Sequence, residues 1–312
     1  MWITGWAVWL LVGLQSTAWC QNFYDSDPHM MELTPKSFDK VIHDTNYTTI
    51  LEFYAPWCGY CQQLKGIMKK AAKAMNGVVQ VASVNCDLAK NKKLCAEHKV
   101  QGFPTIMVFR PPKVDSSKTG AVRIPARKHA HEVYKGVRKL SPMIDFALSR
   151  MKNYVKRLNG LSKLSSILTK SPKRTLILLS KKDKVSPIYK SVALDWLDTF
   201  DCYTVPNSKL RVLEDGDELA KTHPRIFQFL HDIIPDQIKS EESILIALDG
   251  ANDQYKVIDG GSFAKTEISR ILNENFDILP REGPLSKREK YLHFIKTGKK
   301  GDSWKPKLHD EL

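Results

Sequence analysis

The segment Ala55-Pro56-Trp57-Cys58-Gly59-Tyr60-Cys61 sets two cysteines three residues apart where a strand gives way to a helix. Upstream, Thr48 to Tyr54 (TTILEFY) is a β-branched and aromatic run of buried-strand length. Downstream, Cys61, Leu64, Met68, Ala71, Ala72 and Met75 recur on one helical face. Two thiols on the first turn of a helix are close enough to bridge. The first lies where unpaired backbone N–H groups and the helix dipole favour an anion. Cys58 is therefore expected to have a depressed pKa and to act as the thiolate nucleophile, with Cys61 the shielded resolving thiol. The same spacing serves a structural bridge or half of a zinc site. Structural zinc needs four ligands, and no second Cys-x-x-Cys or His-x-x-x-His follows, so no metal is assigned.

The rhythm around the motif is strand, helix, strand, helix, then strands and a helix. Val78 to Val84 reads as a second buried strand and Lys90 to His98 as a short polar helix. Thr105 to Phe109 and His131 to Tyr134 read as strands, and a closing helix falls near Ser141 to Leu148. The expected fold is α/β, a thioredoxin-type mixed sheet flanked by helices, parallel in part and extended by an antiparallel pair. Residues 151 to 280 repeat the pattern more faintly, with helices over Leu161–Leu168, Pro187–Phe200 and Phe263–Asn273. Strands are expected at Thr175–Leu179, Ser243–Leu248 and Gln254–Ile258. A second, redox-inactive thioredoxin-like domain is expected there, because this half lacks a Cys-x-x-Cys. The lysine-rich loop from Pro111 to Ala130 reads as a solvated excursion.

Both ends read as addresses. Gly5 to Leu14 is an apolar run of signal-peptide length, and Ser16-Thr17-Ala18-Trp19-Cys20 offers a cleavage site ahead of Gln21. The chain ends His309-Asp310-Glu311-Leu312, a retrieval signal of the endoplasmic reticulum lumen. The expected organisation is a signal peptide over 1–20, a catalytic domain over 21–150, an inactive domain over 151–280, and a flexible basic tail over 281–312. In the lumen the surplus of +14 charges has no nucleic acid to meet, and the mature chain has no membrane span. Asn46-Tyr47-Thr48 is an N-glycosylation sequon usable in that compartment. Of six cysteines, Cys20 leaves with the signal peptide. Cys86 and Cys95, on a strand end and the following helix, form either a structural disulfide or two buried thiols. Cys202 has no nearby mate.

Leu51 to Cys61 resembles the active-site segment of the protein disulfide isomerase family. Val100-Gln101-Gly102-Phe103-Pro104-Thr105 resembles that family's cis-proline segment, and Tyr134-Lys135-Gly136-Val137-Arg138 its final strand and arginine. The three motifs, in order, cover residues from about 30 to 150. The resemblance implies that Pro104 is cis and that Phe103, Pro104 and Thr105 meet a client strand. It implies that Glu52, buried under the dithiol, shuttles the Cys61 proton, and that Arg138 approaches Cys61 during reoxidation. Trp57, Gly59 and Tyr60 complete the surroundings of the dithiol. Some family members carry a bridge like Cys86–Cys95.

Three positions depart from the family's usual pattern. Tyr60 stands where the family places a histidine, so the Cys58 thiolate loses an imidazolium and the couple should be less oxidising. Gly66 replaces a helix-kinking proline. Ser83 stands where some members place a lysine beside the buried glutamate, so Glu52 should be harder to ionise.

The expected activity is thiol–disulfide exchange in the endoplasmic reticulum lumen through the CGYC motif, without a dissociable cofactor. Expected partners are unfolded or misfolded secretory proteins, an upstream oxidase or glutathione, the HDEL receptor and, by resemblance, a calnexin-type chaperone. The alternative is a client-binding chaperone or adaptor whose redox turnover is incidental.

Overall fold

The computed structural model describes residues 22–25, 27–114, 128–258 and 264–298. The expected signal peptide, the HDEL terminus and most of the Pro111–Ala130 loop lie outside the described residues. The first half builds one five-stranded sheet from β1 (Met31–Glu32), β2 (Thr49–Tyr54), β3 (Gln80–Asn85), β4 (Thr105–Arg110) and β5 (Ala130–Val133). Their order is β1-β3-β2-β4-β5; β1, β3 and β2 are parallel, and β4 and β5 follow antiparallel. Four helices cover the sheet: α1 (Pro35–Ile42), α2 (Gly59–Ala74), α3 (Lys92–Glu97) and α4 (Leu140–Ser149). All six residues of β2 are buried, which is why its sequence is almost continuously apolar. Ile50 and Tyr54 pack under α2 and α4, whereas Leu51 and Phe53 pack toward α1 and α3. Glu52 lies between Ile50 and Tyr54 on the same face, and so faces α2.

The second half repeats the arrangement. Strands β6 (Lys156–Arg157), β7 (Arg174–Ser180), β8 (Phe200–Pro206), β9 (Ile244–Asp249) and β10 (Gln254–Ile258) are ordered β6-β8-β7-β9-β10, with the same pattern of directions. This is a second thioredoxin-like sheet. Its helices are α5 (Leu164–Lys170), α6 (Pro187–Asp195), α7 (Glu218–Thr222), α8 (Pro224–Lys239) and α9 (Lys265–Phe276). At the β7–α6 junction, where the first half carries Cys58, Ser186 caps the helix by accepting a hydrogen bond from the Tyr189 N–H at 3.1 Å.

Several elements differ from the sequence reading. The helix expected over Pro187–Phe200 ends at Asp195, and Phe200 opens β8. Phe200 belongs to the same apolar cluster as Val192 and Trp196, so the helical period ran on beyond the helix. The strand β1 and the helix α1 start ahead of the first expected element. Thr34 and Ser37 cap α1 reciprocally, with Pro35 in its first turn.

The flexible tail expected from residue 281 is corrected over its described part. Residues Lys287–Thr297 form a helix, α10, whose Leu292 and Ile295 pack against the apolar cluster of Met31 and Leu33. The segment ahead of it joins the halves. The Arg281 N–H donates to the Asp195 carbonyl at 3.0 Å, and its guanidinium pairs with Asp198 at 3.1 Å. Glu282, 1% exposed, accepts from the Thr45 hydroxyl and from the Asn46 N–H at 2.9 Å. Arg288 donates to the Asp44 carbonyl at 2.8 Å and the Lys40 carbonyl at 3.0 Å. Gly283, at φ +75°, lies so close to Asp195 that an added Cβ would fall 2.1 Å from its Oδ2.

A buried charge network holds the same junction. Tyr47, from the first half, sits in the second half's apolar cluster and donates to Asp195. Lys265 pairs with Asp195 at 2.7 Å and donates to the Gly77 carbonyl at 2.6 Å. Burial outweighs the lysine and pushes the Asp195 carboxyl up to about 7. Removing one partner of such a pair leaves a costly buried charge. Lys265→Met is expected to lower the unfolding free energy at pH 8 by ~3 kcal/mol in denaturant titrations, with part recovered in Lys265→Met/Asp195→Asn. Identical denaturation midpoints for wild type and Lys265→Met would show that the pair carries no junction energy.

Candidate active site: a dithiol above a buried carboxyl

Strand β2 delivers the chain through a turn at Ala55–Trp57, and Cys58 is the N-cap of α2. Its N–H donates to the Ala55 carbonyl at 3.1 Å, and its carbonyl accepts the Gln62 N–H at 3.1 Å. Cys58 is 9% exposed and Cys61 0% exposed; both are free thiols. The Cys58 thiol lies close enough to Cys61 to add to the rise in its pKa. Burial is the main cause that pushes Cys61 up to about 12, offset in part by a hydrogen bond from the Ala55 backbone. Cys61 is thus the more deeply enclosed of the two thiols.

The Phe103–Pro104 peptide bond is cis, and the Cys58 Sγ donates to the Phe103 carbonyl at 3.5 Å. Trp57 stands edge-on to Phe103 at 6.0 Å and donates from Nε1 to Asp87 at 3.0 Å. Trp57 and Tyr60, each 68% exposed, flank the dithiol as open aromatic surface. The Gly59 Cβ position is empty, and Thr105 donates to the Gly102 carbonyl at 2.6 Å. Lys65 lies over the Phe23 ring at 4.8 Å and Lys69 pairs with Asp27 at 3.6 Å, so both are engaged with the N-terminal segment. Helix α2 continues through Gly66 without interruption.

Under the dithiol lies Glu52, 0% exposed and opposite Ser83 in the β2–β3 register. Tyr24 donates to its Oε2 at 2.6 Å. Burial pushes Glu52 up to about 7, while the Tyr24 hydrogen bond and then the Arg138 charge act downward. Arg138 donates from Nη2 to the Pro104 carbonyl at 3.1 Å, so it touches the cis-proline segment and acts on Glu52 through space.

Tyr24, Glu32 and Tyr54 were not singled out from the sequence. Glu32 lies in the apolar run Met30-Met31-Glu32-Leu33, the signal that marked Glu52, but the run is too short to read as a strand. Tyr54 accepts from the Phe23 N–H at 2.8 Å and donates to Glu32 at 3.1 Å.

Away from the dithiol, Cys86 and Cys95 form a disulfide with Cα atoms 6.0 Å apart, tying the end of β3 to α3. Cys202 is a buried free thiol raised by burial. In the sequon, Asn46 is 1% exposed, and Glu282 accepts its backbone N–H.

The thioredoxin family profile matches residues 29–128. Over 97% of this chain and 98% of the relative, the sequence is 51% identical to protein disulfide-isomerase MPD1 of Saccharomyces cerevisiae. Protein disulfide-isomerase A6 of Homo sapiens is 36% identical over 49% of this chain and 32% of its own length. Among solved structures, full-length ERdj5 aligns with a TM-score of 0.45 and 14% identity over 80% of this chain and 33% of its own.

Glu52 also makes stability depend on pH. Its folded value of about 7 exceeds the unfolded value near 4.5, so the folded state holds the proton more tightly. That contribution is complete below about pH 4.5 and is lost as pH rises through about 7. Glu52→Gln is expected to be more stable than wild type at pH 8, by about 3 kcal/mol, with the advantage shrinking toward pH 5. Chemical denaturation at the two pH values checks it; a pH-independent difference would place the ionisation elsewhere.

Proposed function

Because the chain belongs to the protein disulfide isomerase family and is a thiol–disulfide oxidoreductase, we propose that Cys58 and Cys61 are its redox pair, acting on secretory clients in the endoplasmic reticulum lumen. One observation carries this reading: Cys58 at the N-cap of α2, its sulfur beside the Phe103 carbonyl and the cis Pro104, with Cys61 directly behind. The lumen is supported by the apolar N-terminal run and the terminal His309-Asp310-Glu311-Leu312.

In the oxidising direction, a client thiolate attacks the Cys58–Cys61 disulfide and forms a mixed disulfide through Cys58. A second client thiolate then displaces Cys58, leaving a client disulfide and a reduced pair. An upstream oxidase or oxidised glutathione restores the bond by the same exchange. In isomerisation, the Cys58 thiolate attacks a non-native client bond, and another client thiol releases it. When no client thiol arrives, Cys61 loses its proton to Glu52 and displaces the client. Burial outweighs the Tyr24 hydrogen bond and the Arg138 charge, and so keeps Glu52 basic enough to take that proton. Phe103, Pro104 and Thr105 offer an extended edge beside Cys58, and Trp57 and Tyr60 an aromatic rim, for a client segment.

Cys58→Ala is expected to abolish catalysed insulin reduction and the refolding of scrambled ribonuclease. Equal rates for the variant and wild type would defeat the enzymatic use of this pair and leave a client holdase, read by suppression of client aggregation. Tyr60→His is expected to raise the potential of the pair by tens of mV, within the span of about −270 to −180 mV that separates thioredoxin from the isomerase. Equilibration in glutathione buffers measures it; an unchanged or lower potential would show that the residue between the cysteines does not set the poise.

A further inference from the structure

Glu52 is not the only carboxyl buried on this face of the sheet. Glu32 on β1 and Glu52 on β2 are both registered opposite Ser83 on β3, so the three side chains form one row across three parallel strands. The carboxyl-bearing strands are two strand spacings apart, about 10 Å between Cα atoms. Glu32 accepts from the Ser83 hydroxyl at 2.9 Å and from Tyr54 at 3.1 Å, both on Oε2. Glu52 accepts from Tyr24 on Oε2. The remaining oxygens, Glu32 Oε1 and Glu52 Oε1, are buried and find no partner among the described residues. Each carboxyl thus has one satisfied and one bare oxygen.

We propose that Glu32 is a positioning residue for the exchange reaction: across the row Glu32–Ser83–Glu52 the two carboxyls hold one proton between them, and the pair sets the pH at which Glu52 accepts the Cys61 proton. This rests on the proposed role of Glu52. Three states are available. Two carboxylates would place two negative charges in a pocket whose donors are all neutral hydroxyls. Two carboxylic acids would leave Glu52 unable to take a proton. One shared proton avoids both. The groups facing the pair are Tyr24 and Asp25 from the N-terminal segment, Tyr54 on β2, Ser83 on β3, Cys61 on α2 and Arg138 ahead of α4. From α10, which packs on β1, Lys296 faces Glu289 and Asp27 instead. Burial raises both carboxyls, Glu32 to about 8 and Glu52 to about 7, and the Glu52 charge adds to the rise at Glu32.

In the step concerned, the Cys61 proton moves to the Glu52 carboxylate and the Cys61 thiolate attacks the Cys58 sulfur. The Cys58–Cys61 bond forms as the Cys58–client bond breaks. The client leaves as a thiolate, reduced by the two electrons that the pair gives up.

The test loads Cys58 with thionitrobenzoate as a mixed disulfide and follows release of the coloured thiolate by Cys61 across pH. In Glu32→Gln the midpoint of the pH–rate profile is expected about one pH unit lower than in wild type, because the neighbouring charge is gone. The alkylation titration of Cys58 in a Cys61→Ser background is expected to be unaffected by Glu32→Gln. Superimposable wild-type and Glu32→Gln release profiles would overturn the proposal. A Glu52→Gln profile that keeps the wild-type midpoint would instead remove Glu52 from the reaction, and this inference with it. Carboxyl ¹³C titration of the unaltered protein needs no variant: two-step curves at both residues support the shared proton, and independent single steps refute it.

Discussion

A carboxyl group inside a sheet, with no cation against it, has to keep its proton or share it. That constraint shapes the first half of this chain. Glu52 faces α2 because β2 is buried on both sides and its side chains alternate. The same strand runs into the turn that seats Cys58 as a helix cap. The distance from a buried base to a reactive sulfur is thus fixed by a strand and one turn, and no mobile loop intervenes. Burial drives both groups up, the carboxyl to about 7 and the inner thiol to about 12, so the carboxyl stands nearer to the thiol than an exposed one would.

The two halves show what the fold supplies and what the residues supply. Both sheets have the same strand order and directions, and both place a helix N-cap at the end of the second strand. In one the cap is a thiol backed by a second thiol; in the other it is a serine whose hydroxyl accepts a helix N–H. Sheet geometry supplies the stage, and the side chain at one cap decides whether chemistry follows.

Much of this was legible in the sequence because it rested on local pattern. The Cys-x-x-Cys between an apolar strand and a periodic helix located the dithiol, and the lone acid in TTILEFY located Glu52. What stayed hidden depended on distant partners. Arg138 was expected near Cys61 by resemblance; its hydrogen bond to the Pro104 carbonyl, 34 residues away, had no signal in the sequence. Tyr24 reaches Glu52 from 28 residues upstream, through a segment with no period of its own. The polar composition of residues 281–298 read as a solvated tail. Its charges are instead spent on backbone carbonyls and buried partners, Arg288 on residues 40–44 and Glu282 on Thr45. Composition reports how many charges a segment carries; it does not report whether each has somewhere to go.

That junction also orders events during synthesis. The first sheet has all of its strands once residue 133 has been made, yet the seat at Asn46 stays open until residue 282 arrives. For that interval the Asn46 N–H lacks the carboxylate oxygen that will accept it, so the first sheet is complete in sequence before the contact that ties the two halves together can form.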